Sequence, residues 1–519
     1  MTHRSAFLFV CLFLLGGASE ILAQTTTPAP ASLPARVEDA IRFTNFFPLG
    51  TARFAGTNGS MTSMGVDFTT LSTNPAGIGW NRNNSASITP GFTLHNNRST
   101  LRGNNLNPST AENDFVFNIP SFGLVWTRQN EYTGMPSLNW SIALNRLADF
   151  NQTLDYNGFS GGSIIDALVE DINDNIGDPF RVNLLDQIDS DIRFLDVNDN
   201  FDTLPLLVDE FGYFSDFDLA DNQGAQVRRE GRVERSGSMN EFAFGIGGNA
   251  NNKLLWGISI GIPFLSFDEV KTYSEVDANN EVSTFDDASY DEELSISGSG
   301  VNFKLGAIYL PSVATRISLA VHSPTFWTLD ETFETRLEYN YTTADGVARG
   351  GAGLSPQSVS VVNLQTPWRF QLGLGGLIGR SGFITADAEY VNYAGNSFSF
   401  QEFSVPDEVS NNDIDAVLGG AVSLRLGGEI NLDPVQVRLG AGYRTLPTQA
   451  ARYGQDEGYL SGSAGLGFNL GKLFIDVATT VQQENNFYSP YRTFGFDGQV
   501  VDTERVQVSG LVTVGYRGF

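Results

Sequence analysis

Cysteine, histidine and positive charge are all scarce in this 519-residue chain, and each shortage removes a class of chemistry. The only cysteine, Cys11, lies in the first apolar run, so a chain processed after that run carries no thiol and no disulfide. Three histidines, His3, His95 and His322, are too few for a zinc site of ordinary ligands. Lys and Arg number 31 against 59 Asp and Glu, a net charge of -28. Phosphate binding depends on clustered cations, so nucleic acid is excluded as a partner. Long apolar runs are missing as well: a membrane-crossing helix needs about 20 apolar residues, and no run after the N-terminal one reaches that length.

What the chain has instead is glycine and aromatic side chains, 55 Gly, 39 Phe and 16 Tyr, a mixture that favours strands over helices. His3 and Arg4, the apolar run 6–15 and the small residues before Gln24 read as a secretory signal peptide over residues 1–23. Residues 24–44 read as a linker, Thr/Pro/Ala-rich over 25–34, that leads into the start of a plug.

Short stretches then alternate strictly between apolar and polar or small residues. Leu460, Gly462, Ala464, Leu466, Phe468 and Leu470 share one face, with Ser461, Ser463, Gly465, Gly467 and Asn469 on the other. Trp368, Phe370, Leu372 and Leu374 oppose Arg369, Gln371 and Gly373, and Leu138, Trp140, Ile142 and Leu144 oppose Asn139, Ser141 and Asn145. Leu473, Ile475 and Val477 likewise oppose Asp476, Ala478 and Thr480. A barrel with an apolar outside and a polar inside accounts for both faces.

Strands are expected near 85–95, 114–127, 137–149, 238–249, 253–267, 291–309, 314–323, 367–378, 382–394, 416–430, 434–445, 459–470, 472–483 and 504–519. Links after the even strands are short, and those after the odd strands run long, as at 158–236, 268–290, 324–366 and 484–503. Periplasmic turns and extracellular loops produce that alternation. The expected fold is therefore all-β: a fourteen-stranded antiparallel transmembrane β-barrel over residues 85–519 with long extracellular loops. It would sit in the outer membrane of a Gram-negative bacterium with both termini periplasmic. The final strand ends in Phe519 but places Arg517 where an aromatic is expected, and a bulge at Gly518 would restore the phase.

Residues 45–84 precede the first strand and are polar and glycine-rich. They are long enough to fold back into the lumen, where their backbone is satisfied away from lipid. They include Gly50-Thr51-Ala52-Arg53-Phe54-Ala55-Gly56 and Leu71-Ser72-Thr73-Asn74-Pro75-Ala76-Gly77. At these residues the chain resembles the FadL/OmpP1/toluene-channel family of outer-membrane transporters for long-chain fatty acids and other hydrophobic compounds. Asn74, Pro75 and Ala76 match the family's hatch motif residue by residue. Ile258-Ser259-Ile260-Gly261-Ile262-Pro263-Phe264, Lys304 to Pro311 and Arg316 to Pro324 follow in the family's order.

The resemblance covers residue 45 to the end. It implies a lumenal hatch at 45–84, passive diffusion of a hydrophobic small molecule from a loop groove to a pocket above the hatch, and sideways release beside a distorted third strand. Phe54, Phe68 and Leu71 are the hatch-side candidates for ligand contact. Pro120 breaks a ladder bond in the second strand, whereas 138–144 in the third contains neither Gly nor Pro. Outer-membrane lipid and a hydrophobic small molecule are the implied partners.

The span 158–236 holds 18 acidic and 6 basic residues. Ile165, Leu168, Ile172 and Ile176, then Leu184, Ile188, Ile192 and Leu195, have helical spacing, and Ser163 with Asp166 resembles a capping box. An acidic mouth disfavours free carboxylates and offers a docking surface. The alternative function is therefore a FadL-like structural or shuttle subunit of a larger outer-membrane secretion or assembly complex, meeting other outer-membrane proteins through 158–236. The acidic clusters Asp171 to Asp178 and Asp196 to Asp202 lack the Gly and Glu of an EF-hand loop, so no metal is assigned. Residues 158–162 fit G-x-S-x-G without a strand-turn-helix context. Gly373, Gly375, Gly376 and Gly379 belong to strand faces, not a phosphate loop. Neither enzymatic activity nor a cofactor is expected.

Overall fold

The computed structural model describes residues 35–45, 47–129, 136–167, 206–209, 212–215, 217, 222, 224–342, 346–400, 407–448, 458–491 and 499–518. The signal peptide, the linker 24–34, Phe519 and the centre of the acidic span, with most of its expected helices and both acidic clusters, lie outside the described residues.

Fourteen antiparallel strands form the wall. They are β1 Ser85–Leu101, β2 Ser109–Gln129, β3 Ser137–Asp149, β4 Val227–Ala250, β5 Leu254–Val276, β6 Phe285–Tyr309 and β7 Thr315–His322. The wall continues with β8 Arg369–Leu377, β9 Gly382–Asn392, β10 Gly420–Asn431, β11 Val435–Arg444, β12 Tyr459–Leu470, β13 Leu473–Tyr488 and β14 Val501–Arg517. Each pairs with its neighbour, and β14 pairs with β1 from Ser85↔Arg517 to Leu101↔Val501, so the sheet closes and leaves no free edge. Gly518 takes a left-handed φ of 84° and its N–H donates to Asn84 O at 2.7 Å, tying the chain end to the start of β1.

Every expected strand is present, but several are much longer. Stretches read as loops at 268–290 and 324–366 are largely strand: Phe326–Thr342 continues β7 and pairs with both β6 and Ser358–Gln365. Gln152–Ser160 likewise extends β3 along β4. The outward residues explain why. On β6, Val301, Phe303, Leu305 and Tyr309 are apolar and exposed, whereas Glu293, Ser295, Ser297 and Ser299 farther along the same face are polar. On β5, Ile258, Ile260 and Ile262 give way to Ser266 and Asp268. The apolar belt that meets lipid ends at this level, and the wall continues above it into water.

Many inward residues of the belt are polar, and several charges among them are paired. Lys304 Nζ lies 2.6 Å from Glu241 Oε1, Arg438 lies 2.8 Å from Glu429 and 2.6 Å from Asp476, and Arg369 lies 3.0 Å from Glu389. A charge inside the wall is tolerated when it is paired and hydrogen-bonded. Higher in the lumen the inward residues become apolar, with Leu265, Phe267, Trp327, Leu329 and Leu364 in one buried cluster. A second, tyrosine-rich cluster near the long-loop end includes Tyr156, Tyr273, Tyr290, Tyr339 and Tyr488.

Candidate functional site

Residues 35–45 and 47–81 lie inside the barrel, against its inward-facing side chains. Helix α1, Ala35–Thr44, places Val37, Ala40 and Phe43 at helical spacing on its buried face. That face packs on the apolar lumenal cluster, where Phe43 meets Phe150 and Phe267 edge-on at 6.0 and 6.3 Å. Arg36 forms a two-pronged pair with Glu331 at 2.6 and 2.9 Å. Asp39 accepts from Arg42 at 2.5 Å and from Arg36 at 3.3 Å, yet burial pushes its carboxyl up to about 6.

Helix α2, Ala52–Gly56, begins at Thr51, whose side chain accepts from Phe54 N at 3.1 Å. Two 3₁₀ turns follow, Phe68–Ser72 and Pro75–Trp80. Asp67 caps the first by accepting from Thr69 N at 2.9 Å and also takes the Thr51 hydroxyl at 2.5 Å. Burial pushes the Asp67 carboxyl up, against those two hydrogen bonds.

Asn74 caps the second turn and Pro75 occupies its first position, where a missing N–H costs nothing. Asn74 Oδ1 accepts from Ala76 N at 3.1 Å and Nδ2 donates to Thr62 O at 2.8 Å. The turn rests on glycines of the wall that strand register brings into one row, Gly247 opposite Gly257 and Gly257 opposite Gly306. A Cβ at Gly257 would stand 2.2 Å from Pro75 O, and one at Gly306 would stand 1.9 Å from Asn74 Oδ1. Ile78 packs into the space over Gly247, Leu71 over Gly245 and Phe68 over Gly123. Glycine in the wall thus lets the segment approach the backbone directly.

The three apolar candidates sit differently. Phe54 is buried with Met61, Met64 and Phe383. Leu71 is fully buried with Ile78, Val125, Ala143 and Ala243. Phe68 belongs to that same group and also borders a cavity of about 180 Å³ at the short-turn end, walled by Arg53, Glu429, Arg438, Asp476 and Arg517. A second cavity, about 230 Å³, lies beside α1 just above the apolar belt. Its walls include Ile41, Phe150, Phe267, Phe487, Tyr459 and Tyr488 together with Arg42, Arg235 and Arg505. Neither Phe54 nor Leu71 borders either of these two cavities. The third strand is irregular at its far end: its register against β4 shifts between Arg146 and Ala148, where Leu147 O accepts instead from Phe47 N at 2.9 Å.

This barrel superposes on a Pseudomonas aeruginosa FadL homologue with a TM-score of 0.53 at 10% identity, covering 91% of this chain and 99% of the other. The P. putida toluene transporter TodX superposes with a TM-score of 0.50 at 10% identity, covering 90% and 98%. The chain has the FadL-type fold. No family model and no curated protein matches it by sequence, so the likeness of this FadL-type barrel is one of architecture. Two features of the FadL-type lumen had no sequence signal of their own. The glycine row joins residues from three strands, and the upper cavity joins α1 to the far ends of β3, β4, β5, β13 and β14.

Proposed function

We propose that this protein is an outer-membrane channel through which small hydrophobic molecules diffuse passively. Residues 45–84 act as its hatch, and the cavity beside α1 is the resting place of the ligand. The observation that carries the reading is the upper cavity: a space lined by several aromatic side chains beside α1, above a closely fitted segment that occupies much of the lumen. An apolar solute gains about 25 cal/mol for each Å² withdrawn from water, so this space retains it without an energy source. The toluene transporter of the same fold supports the reading. Lipid of the outer membrane surrounds the apolar belt, and the proposal puts both termini on the periplasmic side, a reading that the short turns at that end support.

The test is calorimetric titration of the purified barrel with toluene, beside mass spectrometry of apolar molecules carried through purification. Toluene binding that is lost in Ala148→Trp, which fills the cavity, is the expected result. An empty barrel that ignores toluene and repeatedly brings the same outer-membrane proteins would overturn it in favour of a subunit role.

A further inference from the structure

The cations around the upper cavity are not equivalent. Arg42 is neutralised by Asp39 at 2.5 Å, and Arg235 by Glu269 at 2.5 Å. Arg505 has no carboxylate within ion-pair distance among the described residues. Its Nη2 meets only neutral acceptors, His95 Nδ1 at 3.0 Å and Asn151 O at 3.0 Å, and its Nε is buried without a partner. Three acids line the same cavity: Glu38 lies 3.6 Å from Arg42, and the other two are engaged elsewhere. Asp149 takes Arg146 at 2.8 Å and lies 3.4 Å from the far nitrogen of His95. Glu484 is the cross-strand neighbour of Arg505, but it is hydrogen-bonded to Tyr459 and to Asn486 at 3.5 Å. Both side chains line the cavity.

We propose that the upper cavity takes a monocyclic aromatic carboxylate, its ring held by Phe150, Phe267 and Tyr488 and its carboxylate by Arg505. This rests on the reading of that cavity as the ligand site. An apolar cavity of roughly 150 Å³ holds benzene, so about 230 Å³ admits one ring with a small polar head. Phe150 and Phe267 meet edge to face at 5.6 Å, an arrangement that a third ring extends. A guanidinium lacking an acid partner in a partly buried site is the group best suited to a planar carboxylate. The acidic span at the mouth slows capture of anions, but salt screens charges beyond a Debye length of about 8 Å, so it does not set the affinity of the pocket.

The experiment is calorimetric titration of the detergent-purified, full-length barrel with benzoate and, separately, with toluene. Wild type binds benzoate more tightly than toluene. Arg505→Gln weakens benzoate at least tenfold and leaves toluene within twofold, Arg505→Lys retains part of the benzoate affinity, and Glu484→Gln tightens it. Equal benzoate affinity in wild type and Arg505→Gln overturns the proposal. Toluene binding without benzoate binding in wild type also overturns it while leaving the channel reading intact, and binding of neither overturns both.

Discussion

Replacing Gly306 by Val tests whether the segment is held by its fit to the wall. The new Cβ would stand 1.9 Å from Asn74 Oδ1 and 3.0 Å from Ala76 N, so the capped turn cannot keep its place. Asn74 then loses its bonds with Ala76 N and Thr62 O, and Ala76 leaves its buried contacts with Leu255 and Ile308. Two hydrogen bonds at about 1 kcal/mol each set the lower bound, and leaving one partner buried and unsatisfied raises the cost to about 4 kcal/mol. At 1.4 kcal/mol per factor of ten, the ratio of docked to released segment falls roughly 30- to 700-fold. Amide hydrogen exchange over residues 68–80, followed by mass spectrometry in detergent, reads this directly. Protection there should drop while β5 and β6 keep theirs, since Val suits a strand. Gly376→Val is the control, because nothing lies within 4 Å of a Cβ at that position. Undiminished protection in Gly306→Val, or an equal loss in Gly376→Val, would refute the argument.

Lys304→Met strands Glu241, whose side chain is 1% exposed, and should cost about 3–5 kcal/mol in denaturant unfolding; adding Glu241→Leu should restore most of it. Asp39 sits at about 6 in the docked helix against an ordinary 3.8. Docked α1 therefore keeps a proton that a released helix loses, so this contribution is complete below pH 4 and gone above pH 6. The difference is on the order of 3 kcal/mol, and exchange protection of residues 37–44 should fall across that window in wild type but not in Asp39→Asn. Val66 holds a φ of 60°, where a β-branched side chain is strained. Val66→Gly should increase segment protection by about 1 kcal/mol, and a loss of protection would show that the side chain is held by contacts that outweigh the strain.

The strands legible in the sequence are those bathed in lipid. Phe370, Leu372 and Leu374 point outward and are exposed while Arg369 and Gln371 point inward and are buried, so the period of two is written in hydrophobicity. Above the belt that contrast vanishes. Ser295 and Ser297 face water, and the extension Phe326–Thr342 read as loop because its outer positions carry Thr and Asp. Asn74-Pro75-Ala76 was legible only as a motif shared with the FadL-type family, in a polar segment long enough to fold back into the lumen. The glycine row beneath it was not, because Gly257 and Gly306 are far apart in sequence and only the pairing of β5 with β6 aligns them. Arg505 lies in an expected strand opposite Glu484, and its lack of an acid partner among the described residues goes with the bonds Glu484 makes to Tyr459 and Asn486, which no sequence pattern encodes.

The height at which the apolar belt stops has a bearing on where a ligand can leave. β6 is 25 residues long; at about 3.3 Å per residue and a tilt near 40° it rises about 60 Å, against an apolar band of ~25 Å. The outer face beside the upper cavity carries Ser266, Asp268 and Glu504 along with Val506, in place of the unbroken apolar row lower down. A gap in the wall at that height would open onto headgroups and water, where an apolar molecule has nothing to gain. In the proposed channel, entry and departure therefore fall on different floors of the barrel. On that proposal a ligand resting beside α1 would have to descend past the helix before a side door reached hydrocarbon, and the docking of α1 would govern how long it stays.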